Sequence, residues 1–209
     1  MKKEKIIQQG AEAVIIQKEN EIIKRRIPKS YRIKELDEKI RKHRTRSESK
    51  ILEKANKIIF SPKLISTDEK NKEIVMEFIQ GKKLSEQLEK FSFTEQKQIL
   101  ETIGKSIGKL HSQNIIHGDL TLANMILKSL KEVFFIDFGL SFISQKIEDC
   151  AVDLHLFKES LKASYPEKSQ DFFYSVIQGY TSIPTINKNK TPLVLQQIKK
   201  VEKRGRYKH

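Results

Sequence analysis

Two short β-branched runs, Ala13-Val14-Ile15-Ile16 and Glu21-Ile22-Ile23-Lys24, flank a polar Lys18-Glu19-Asn20 turn, a pattern that predicts a hairpin. A basic linker with Pro28 and Tyr31 follows, and the apolar period then changes. Ile33, Leu36 and Ile40 recur at helical spacing, and a second helix is expected to carry Ile51, Leu52, Ala55 and Ile58. Residues 74–79, Ile-Val-Met-Glu-Phe-Ile, return to a strand pattern closed by Gln80-Gly81. That glycine predicts a boundary between a β-rich unit, 1–80, and a second unit, 81–209.

Beyond Gly81 the pattern is mostly helical. A first helix is expected over Lys83–Glu89, then a long one opened by a capping box, Ser92 with Glu95 three residues on. Ile99, Ile103, Ile107 and Leu110 give that helix one apolar face, and Gly104 and Gly108 allow a neighbour to approach closely. Asn114 to Leu127 reads as a polar loop, and Val133-Phe134-Phe135-Ile136 as a short strand. Three more helices are expected at about Ala151–Tyr165, Lys168–Tyr180 and Pro192–Glu202, the last with Thr191 as N-cap and Pro192 at the first helical position. Strands first and helices afterwards predict an α+β fold.

The 209 residues carry 41 Lys and Arg against 27 Asp and Glu, a formal charge of +14. Residues 24–50 hold twelve basic residues against four acids, and the last eleven hold six against one. Two concentrated patches point to polyanionic partners, nucleic acid or nucleotide phosphate, where a uniform coat would indicate solubility alone; a solvated charge run is the alternative reading. Apolar residues at 37% and 11 Phe exclude a disordered chain. No run approaches 18 uncharged apolar residues, and the Met-Lys-Lys-Glu start lacks an apolar leader, so a cytoplasmic protein with no membrane partner is expected. The single Cys150 cannot form an internal disulfide, and its surroundings mark it as a packing residue.

The chemistry concentrates in His117-Gly118-Asp119-Leu120-Thr121-Leu122-Ala123-Asn124 and, thirteen residues after Asn124, Asp137-Phe138-Gly139. Mg²⁺ prefers carboxylate, amide-carbonyl and phosphate oxygens, so Asn124 and Asp137 are candidate metal ligands for Mg²⁺ bridged to ATP phosphates. Asp119 is the candidate catalytic base, accepting a proton from an attacking hydroxyl or water. Any one of these acids alone would read as a loop residue capping backbone N–H groups; the two motifs in this order and spacing are specific.

Lys24, at the end of the second run, stands where a kinase holds the lysine that touches the α/β-phosphates, and Glu48 stands in the following helix where its partner acid belongs. Glu53 is another acid on that helix; the Arg44-Thr45-Arg46-Ser47-Glu48 context favours Glu48. Glu77 and Ile79, in the strand before Gly81, fit a segment whose backbone binds adenine, and equally a core strand.

With Gln9-Gly10-Ala11-Glu12-Ala13, Pro28-Lys29, Tyr31-Arg32, Leu36-Asp37, His43-Arg44-Thr45-Arg46, Glu148-Asp149, Val152-Asp153-Leu154 and Arg204-Gly205-Arg206 in the same order, nearly the whole chain resembles one family. This is the small atypical kinase subunit of the KEOPS tRNA-modification complex, also called the p-fifty-three-related protein kinase family. The resemblance implies a minimal two-lobed protein-kinase-like fold with a small β-rich N-lobe and a helical C-lobe. It implies ATP and Mg²⁺ as cofactors, with Gln9, Gly10, Ala11, Glu12, Ala13, Val14, Lys24, Glu48, Glu77 and Ile79 at ATP. It also implies Ser/Thr kinase or ATPase activity, and as partners the threonylcarbamoyl-transferase subunit, a small regulatory subunit and tRNA.

Three departures from ordinary protein kinases bear on the task. A single glycine, Gly10, replaces the usual three of the phosphate-covering loop, and Glu12 puts a carboxylate there that needs a cation or metal beside it. Only residues 140–147 separate Gly139 from Glu148, with no Ala-Pro-Glu sequence, which leaves no room for a peptide-docking activation segment. Position 121 is Thr where many Ser/Thr kinases place a phosphate-stabilising Lys. ATP hydrolysis needs no docking platform, so an ATPase-type subunit is the main expectation and a stand-alone Ser/Thr kinase acting in trans the alternative. Lys203, Arg204 and Arg206, with Tyr207, are the candidate tRNA contacts of the tail.

Overall fold

A computed structural model of the chain describes residues 4–183 and 190–206, with side chains through Lys203. It divides into two compact units, Met1–Lys57 with Ser61–Gln80, and Ile58–Phe60 with Gly81–His209.

The first unit is a five-stranded antiparallel sheet with one helix. Its strands are β1 (Glu4–Gln9), β2 (Ala13–Lys18), β3 (Glu21–Arg26), β4 (Leu64–Asp68) and β5 (Glu73–Glu77), in the order β1-β2-β3-β5-β4. The expected hairpin is β2–β3, turning at Glu19, whose φ of 54° relieves the tight connection. Lys24 does not end its strand: β3 runs on to Arg26, so Lys24 lies mid-sheet between Ile15 and Ile74. β1 and β4 are edge strands that the pattern does not show, because all six residues of β1 are exposed and β4 buries none of its five. Without a buried face there is no alternation to read.

Helix α1 (Lys34–Asn56) is one continuous 23-residue element where the apolar pattern predicts two. The join, Arg41 to Lys50, contains no apolar residue, yet Thr45, Glu48 and Ser49 are buried there. Thr45 and Ser49 donate their hydroxyls to the carbonyls of Arg41 and Arg46, and Glu48 is paired as described below. Polar groups satisfied inside the unit replace the hydrophobic stripe.

The second unit contains β6 (Lys82–Lys83), α2 (Leu84–Gln87), α3 (Phe93–Ser112), β7 (Ile115–Ile116), β8 (Met125–Ser129), β9 (Glu132–Phe135), β10 (Phe142–Ile143), α4 (Ile147–Ser164), α5 (Ser169–Thr181) and α6 (Lys190–Arg206). The capping box of α3 is formed: Ser92 Oγ accepts from the Glu95 N–H, and Glu95 Oε2 accepts from the Ser92 N–H. Ile99, Ile103, Ile107 and Leu110 are buried along one face of α3. Gly104 meets α5 backbone to backbone, so closely that a Cβ there would lie 1.9 Å from the Val176 carbonyl oxygen. Gly179 does the same from the other side, 1.9 Å from the Glu101 carbonyl oxygen.

Several expected boundaries change. The first helix divides into the short α2 and a 3₁₀ turn at Leu88–Lys90. The span Asn114 to Leu127 is not one loop: it holds β7, a 3₁₀ turn at Leu122–Asn124 and the start of β8. α4 begins at Ile147, four residues early, with Glu148 and Asp149 in its first turn where the helix dipole favours acids. α6 begins at Lys190, which puts Thr191 and Pro192 inside its first turn. Among the described residues no helix is long and apolar enough to cross a membrane.

Candidate active site

In the first unit, strand periodicity sets the geometry. Lys24 and Arg26 are two apart on β3 and so project to the same face. Both reach Glu48 on α1: Lys24 Nζ donates to Oε1 at 2.7 Å and Arg26 Nη2 to Oε2 at 2.5 Å. Exposures of 7%, 5% and 2% make this a buried triad. Glu53 takes no part; it is exposed and lies 3.7 Å from Lys57.

The Gly10–Ala13 turn is closed by the Gly10 N–H on the Ala13 carbonyl at 3.0 Å. Lys29 Nζ donates to the Ala11 carbonyl, and the Ile27 N–H to that of Glu12 at 3.3 Å. The Glu12 carboxylate accepts from Arg44 Nη1 at 2.8 Å, with Arg32 at 3.8 Å and Lys29 at 4.0 Å. Glu12 is thereby directed into a cationic cluster, and Arg44 stands one helical turn before Glu48 on α1. Gln9 ends the exposed β1, Ala13 is buried and Val14 half-buried on β2. Glu77 ends β5, its N–H donating to the Lys63 carbonyl at 2.9 Å; Ile79 is buried just beyond.

In the second unit, hairpin register gathers the acids. Met125 pairs with Phe135, and the Ile136 N–H donates to the Asn124 carbonyl at 2.9 Å, which places Asn124 beside Asp137. Asn124 Nδ2 donates to Asp119 Oδ2 at 2.8 Å and to the Asp119 carbonyl at 3.0 Å. With that nitrogen engaged, Oδ1 is the Asn124 atom that can meet a cation. Asp137 is exposed at φ 65°, a left-handed conformation rare for a non-glycine residue, and its Oδ1 accepts the Gly139 N–H at 3.1 Å. An amide and a carboxylate oxygen side by side suit Mg²⁺, which takes one or two protein oxygens and completes its shell with water and phosphate.

A buried network behind Asp119 holds the loop that carries it. Asp153 on α4, 1% exposed, accepts the His117 N–H at Oδ2 and the Gly118 N–H at Oδ1, each at 2.9 Å. Oδ2 also meets His111 Nε2 at 3.1 Å, and His111 Nδ1 meets the Tyr180 hydroxyl at 3.1 Å. Burial opposes charge on His111, but the hydrogen bond to Asp153 and the Cys150 sulfur outweigh it and push the imidazole up to about 9. Asp153 is likewise disfavoured by burial, yet His111 and the loop N–H groups hold its carboxyl below the usual range. Burial pushes the Tyr180 hydroxyl up and His117 down. His117 Nδ1 accepts the Asp119 N–H at 3.3 Å while its ring lies 4.9 Å from that of Phe138. Gly118, at φ 79°, has no room for a Cβ, which would lie 2.5 Å from the Leu140 carbonyl oxygen.

Asp153, His111 and Arg26 carry no weight as site residues in the sequence reading. The signals for Asp153 were its place in the Val152-Asp153-Leu154 motif of the family resemblance and a carboxylate set within the largely apolar helical run Ala151 to Phe157. The basic cluster of 24–50 is largely paired: Arg25 with Glu73, Arg26 with Glu48, Arg32 and Arg41 with Asp37, Arg44 with Glu12, and Arg46 with Glu69. On α6, Lys199, Lys200 and Lys203 are exposed; the side chains of Arg204 and Arg206, and Tyr207 entirely, lie outside the described residues.

The protein kinase domain family model matches residues 2–160 of the chain. Among solved structures, monomeric WbdD superposes with a TM-score of 0.60 at 20% identity, over 90% of this chain and 45% of that one. The bifunctional kinase-methyltransferase WbdD gives 0.57 at 16% identity, over 90% and 47%. Fold and family model define the class: this is a protein kinase, an enzyme that uses ATP. The chain is 41% identical to the KEOPS complex subunit Bud32 of Pyrococcus abyssi, over 98% of this chain and 96% of that protein. It is 41% identical to the EKC/KEOPS complex subunit BUD32 of Enterocytozoon bieneusi, over 96% and 98%. A probable bifunctional tRNA threonylcarbamoyladenosine biosynthesis protein of Methanobrevibacter smithii is 42% identical over 98% of this chain, which spans 37% of that longer protein. The chain belongs to the Bud32 family of atypical kinases.

Proposed function

We propose that this chain is a Mg-ATP-dependent kinase subunit of a tRNA threonylcarbamoyladenosine-forming assembly, and that its ATP turnover acts on a partner in that assembly. The observation that carries the reading is the Asp119–Asn124 hydrogen bond at 2.8 Å, with Asp137 held beside Asn124 by the β8–β9 register. That arrangement gives the second unit a base and a pair of metal-binding oxygens. Mg²⁺ held by Asn124 Oδ1 and Asp137 would neutralise the charge developing on transferring phosphate. Asn124 Nδ2 fixes the Asp119 carboxylate, so one oxygen is oriented and the carboxylate can take a proton from the attacking hydroxyl or water. Lys24, held by Glu48, supplies a fixed cation for the α/β-phosphates.

The acceptor follows from what joins Asp137 to α4. Residues 140–146 form only a bend and the two-residue β10, paired with β7, before α4 begins. No segment there is long enough to dock a peptide in extended form, which supports water or a partner's own surface as the acceptor over a free protein substrate. The M. smithii relative joins a segment like this chain to a longer one in a single polypeptide, and its name supports tRNA threonylcarbamoyladenosine formation as the shared task. In such an assembly the exposed lysines of α6 would meet tRNA phosphate. The test measures ATP hydrolysis and γ-phosphate transfer side by side, with and without the transferase partner and tRNA. Asp119→Asn should lower turnover by roughly 10²–10⁴-fold, and partner or tRNA should change the wild-type rate. Turnover indifferent to Asp119→Asn and to both partners overturns the reading.

A further inference from the structure

The buried triad on β3 and α1 contains a residue that ATP chemistry does not itself require. Ordinary kinases need the pair between the phosphate lysine and its helix glutamate, and they regulate by making or breaking it, through activation-segment phosphorylation and movement of the helix. Here the helix glutamate is held twice. Glu48 Oε1 takes Lys24 and Oε2 takes Arg26, so neither carboxylate oxygen is left to solvent or to a competing cation. Moving α1 outward would strand two buried cations and one buried carboxylate together, a heavier loss than the breaking of a single buried pair.

Arg26 is an expensive way to gain stability. Its Nε–H is buried without a hydrogen-bond partner. A buried ion pair is often no better for stability than well-packed apolar side chains, so an orphaned N–H makes a purely structural reason weaker still. A second fastening lies one turn away on the same helix, where Arg44 holds Glu12 of the Gly10–Ala13 turn at 2.8 Å. α1 is tied at two successive turns, once to the strand that carries Lys24 and once to the adjoining turn.

We propose that Arg26 is a positioning residue that makes the Lys24–Glu48 pair permanent, so that the nucleotide-binding half of the first unit stands assembled without an activation segment or an outside signal. The proposal rests on Lys24 serving ATP phosphate. It explains how a chain with only residues 140–147 between Gly139 and Glu148 can dispense with the element that other kinases use to set this pair.

The consequence is a population effect. If Arg26 is lost, only a fraction f of molecules has Glu48 on Lys24, and the apparent dissociation constant for ATP rises as 1/f. Arg26→Met should therefore raise the KM for Mg-ATP about tenfold while kcat at saturating ATP falls less than threefold, and Arg26→Lys should restore KM to within about threefold of wild type. Damage to the fold behaves differently, lowering the active fraction and so kcat at unchanged KM. Amide exchange over residues 41–52 should quicken in Arg26→Met without ATP and slow again when ATP is added. Lys24→Met is the control: unchanged ATP affinity in that variant overturns the role of Lys24 itself, whatever Arg26 does. If Lys24→Met weakens ATP binding and Arg26→Met leaves KM and α1 exchange unchanged, Arg26 is not a positioning residue. Should Arg26→Met fail to fold, Arg26→Gln, which keeps a polar side chain but removes the charge, decides: KM raised about tenfold supports the proposal, and KM unchanged overturns it.

Discussion

Replacing Asp153 with asparagine removes one charge and keeps the side-chain shape, so it isolates what that carboxylate holds. Oδ1 accepts the Gly118 N–H, and Oδ2 accepts the His117 N–H and meets His111 Nε2. An amide has a single acceptor oxygen, so either orientation turns an N–H toward a backbone N–H. A buried donor left facing a donor costs about 1–3 kcal/mol. His111 also loses its counter-charge. Its imidazole, at about 9 against an ordinary 6.5, reflects roughly 3 kcal/mol of pairing at about 1.4 kcal/mol per unit. The depressed Asp153 carboxyl is the other side of the same coupling and is counted once. Asp153→Asn should therefore cost roughly 4–6 kcal/mol near pH 6, at or slightly above the range for a broken buried ion pair.

The pH dependence separates the two contributions. His111 has a folded pKa above its unfolded one, so its pairing stabilises fully below about pH 6.5, fades as the pH rises and is gone above about 9. The wild-type advantage over Asp153→Asn should shrink to about 1–3 kcal/mol by pH 10, when only the two backbone hydrogen bonds still distinguish the proteins. Comparing both proteins at each pH cancels the titration of groups they share. Urea unfolding followed by far-UV circular dichroism at pH 6, 8 and 10 measures the difference, with equal m values required before midpoints are compared. A gap under about 1 kcal/mol at pH 6, or one that stays constant to pH 10, would refute the charged His111–Asp153 pair.

Gly104→Ala and Gly179→Ala each place a methyl 1.9 Å from a carbonyl oxygen of the facing helix, so α3 and α5 must separate by more than 1 Å; each should cost about 1–3 kcal/mol or more, read from the urea midpoint, and no change would mean that the helices already stand farther apart. Deleting residues 203–209 should weaken tRNA binding and shallow the slope of log affinity against log salt, because fewer counterions are released; an unchanged slope removes the tail from the tRNA surface.

What could be read from the sequence had its cause close by along the chain. The β2–β3 hairpin follows from two alternating runs and a polar turn, and the start of α3 from a capping box whose partners are three residues apart. The motifs at 117–124 and 137–139 identify themselves by residue type and spacing. What could not be read depends on partners distant in sequence. Asp153 lies 42 residues from His111 and 36 from His117, and Arg26 lies 22 from Glu48. α1 looked like two helices because its middle is held by such pairs, and hydropathy periodicity cannot see a buried face made of satisfied polar groups.

The positive charge shows the same limit in a way that alters the functional reading. Counting within 24–50 finds twelve cations and four acids, which suggests a surface waiting for a polyanion. The counter-charges come from outside that window: Glu12 takes Arg44, Glu69 takes Arg46 and Glu73 takes Arg25. Inside it, Asp37 serves both Arg32 and Arg41, and Glu48 serves Lys24 and Arg26. A nucleic acid approaching this cluster would have to compete with carboxylates already in place, two of them, Asp37 and Glu48, buried, and would recover little of the attraction that the net charge implies. The exposed lysines of α6 lie on the solvent face of a helix, so a phosphate there meets cations without first displacing a buried partner. The cluster at 24–50 therefore belongs chiefly to the architecture of the first unit, and the tRNA contact proposed above is to be sought on the exposed lysines of α6.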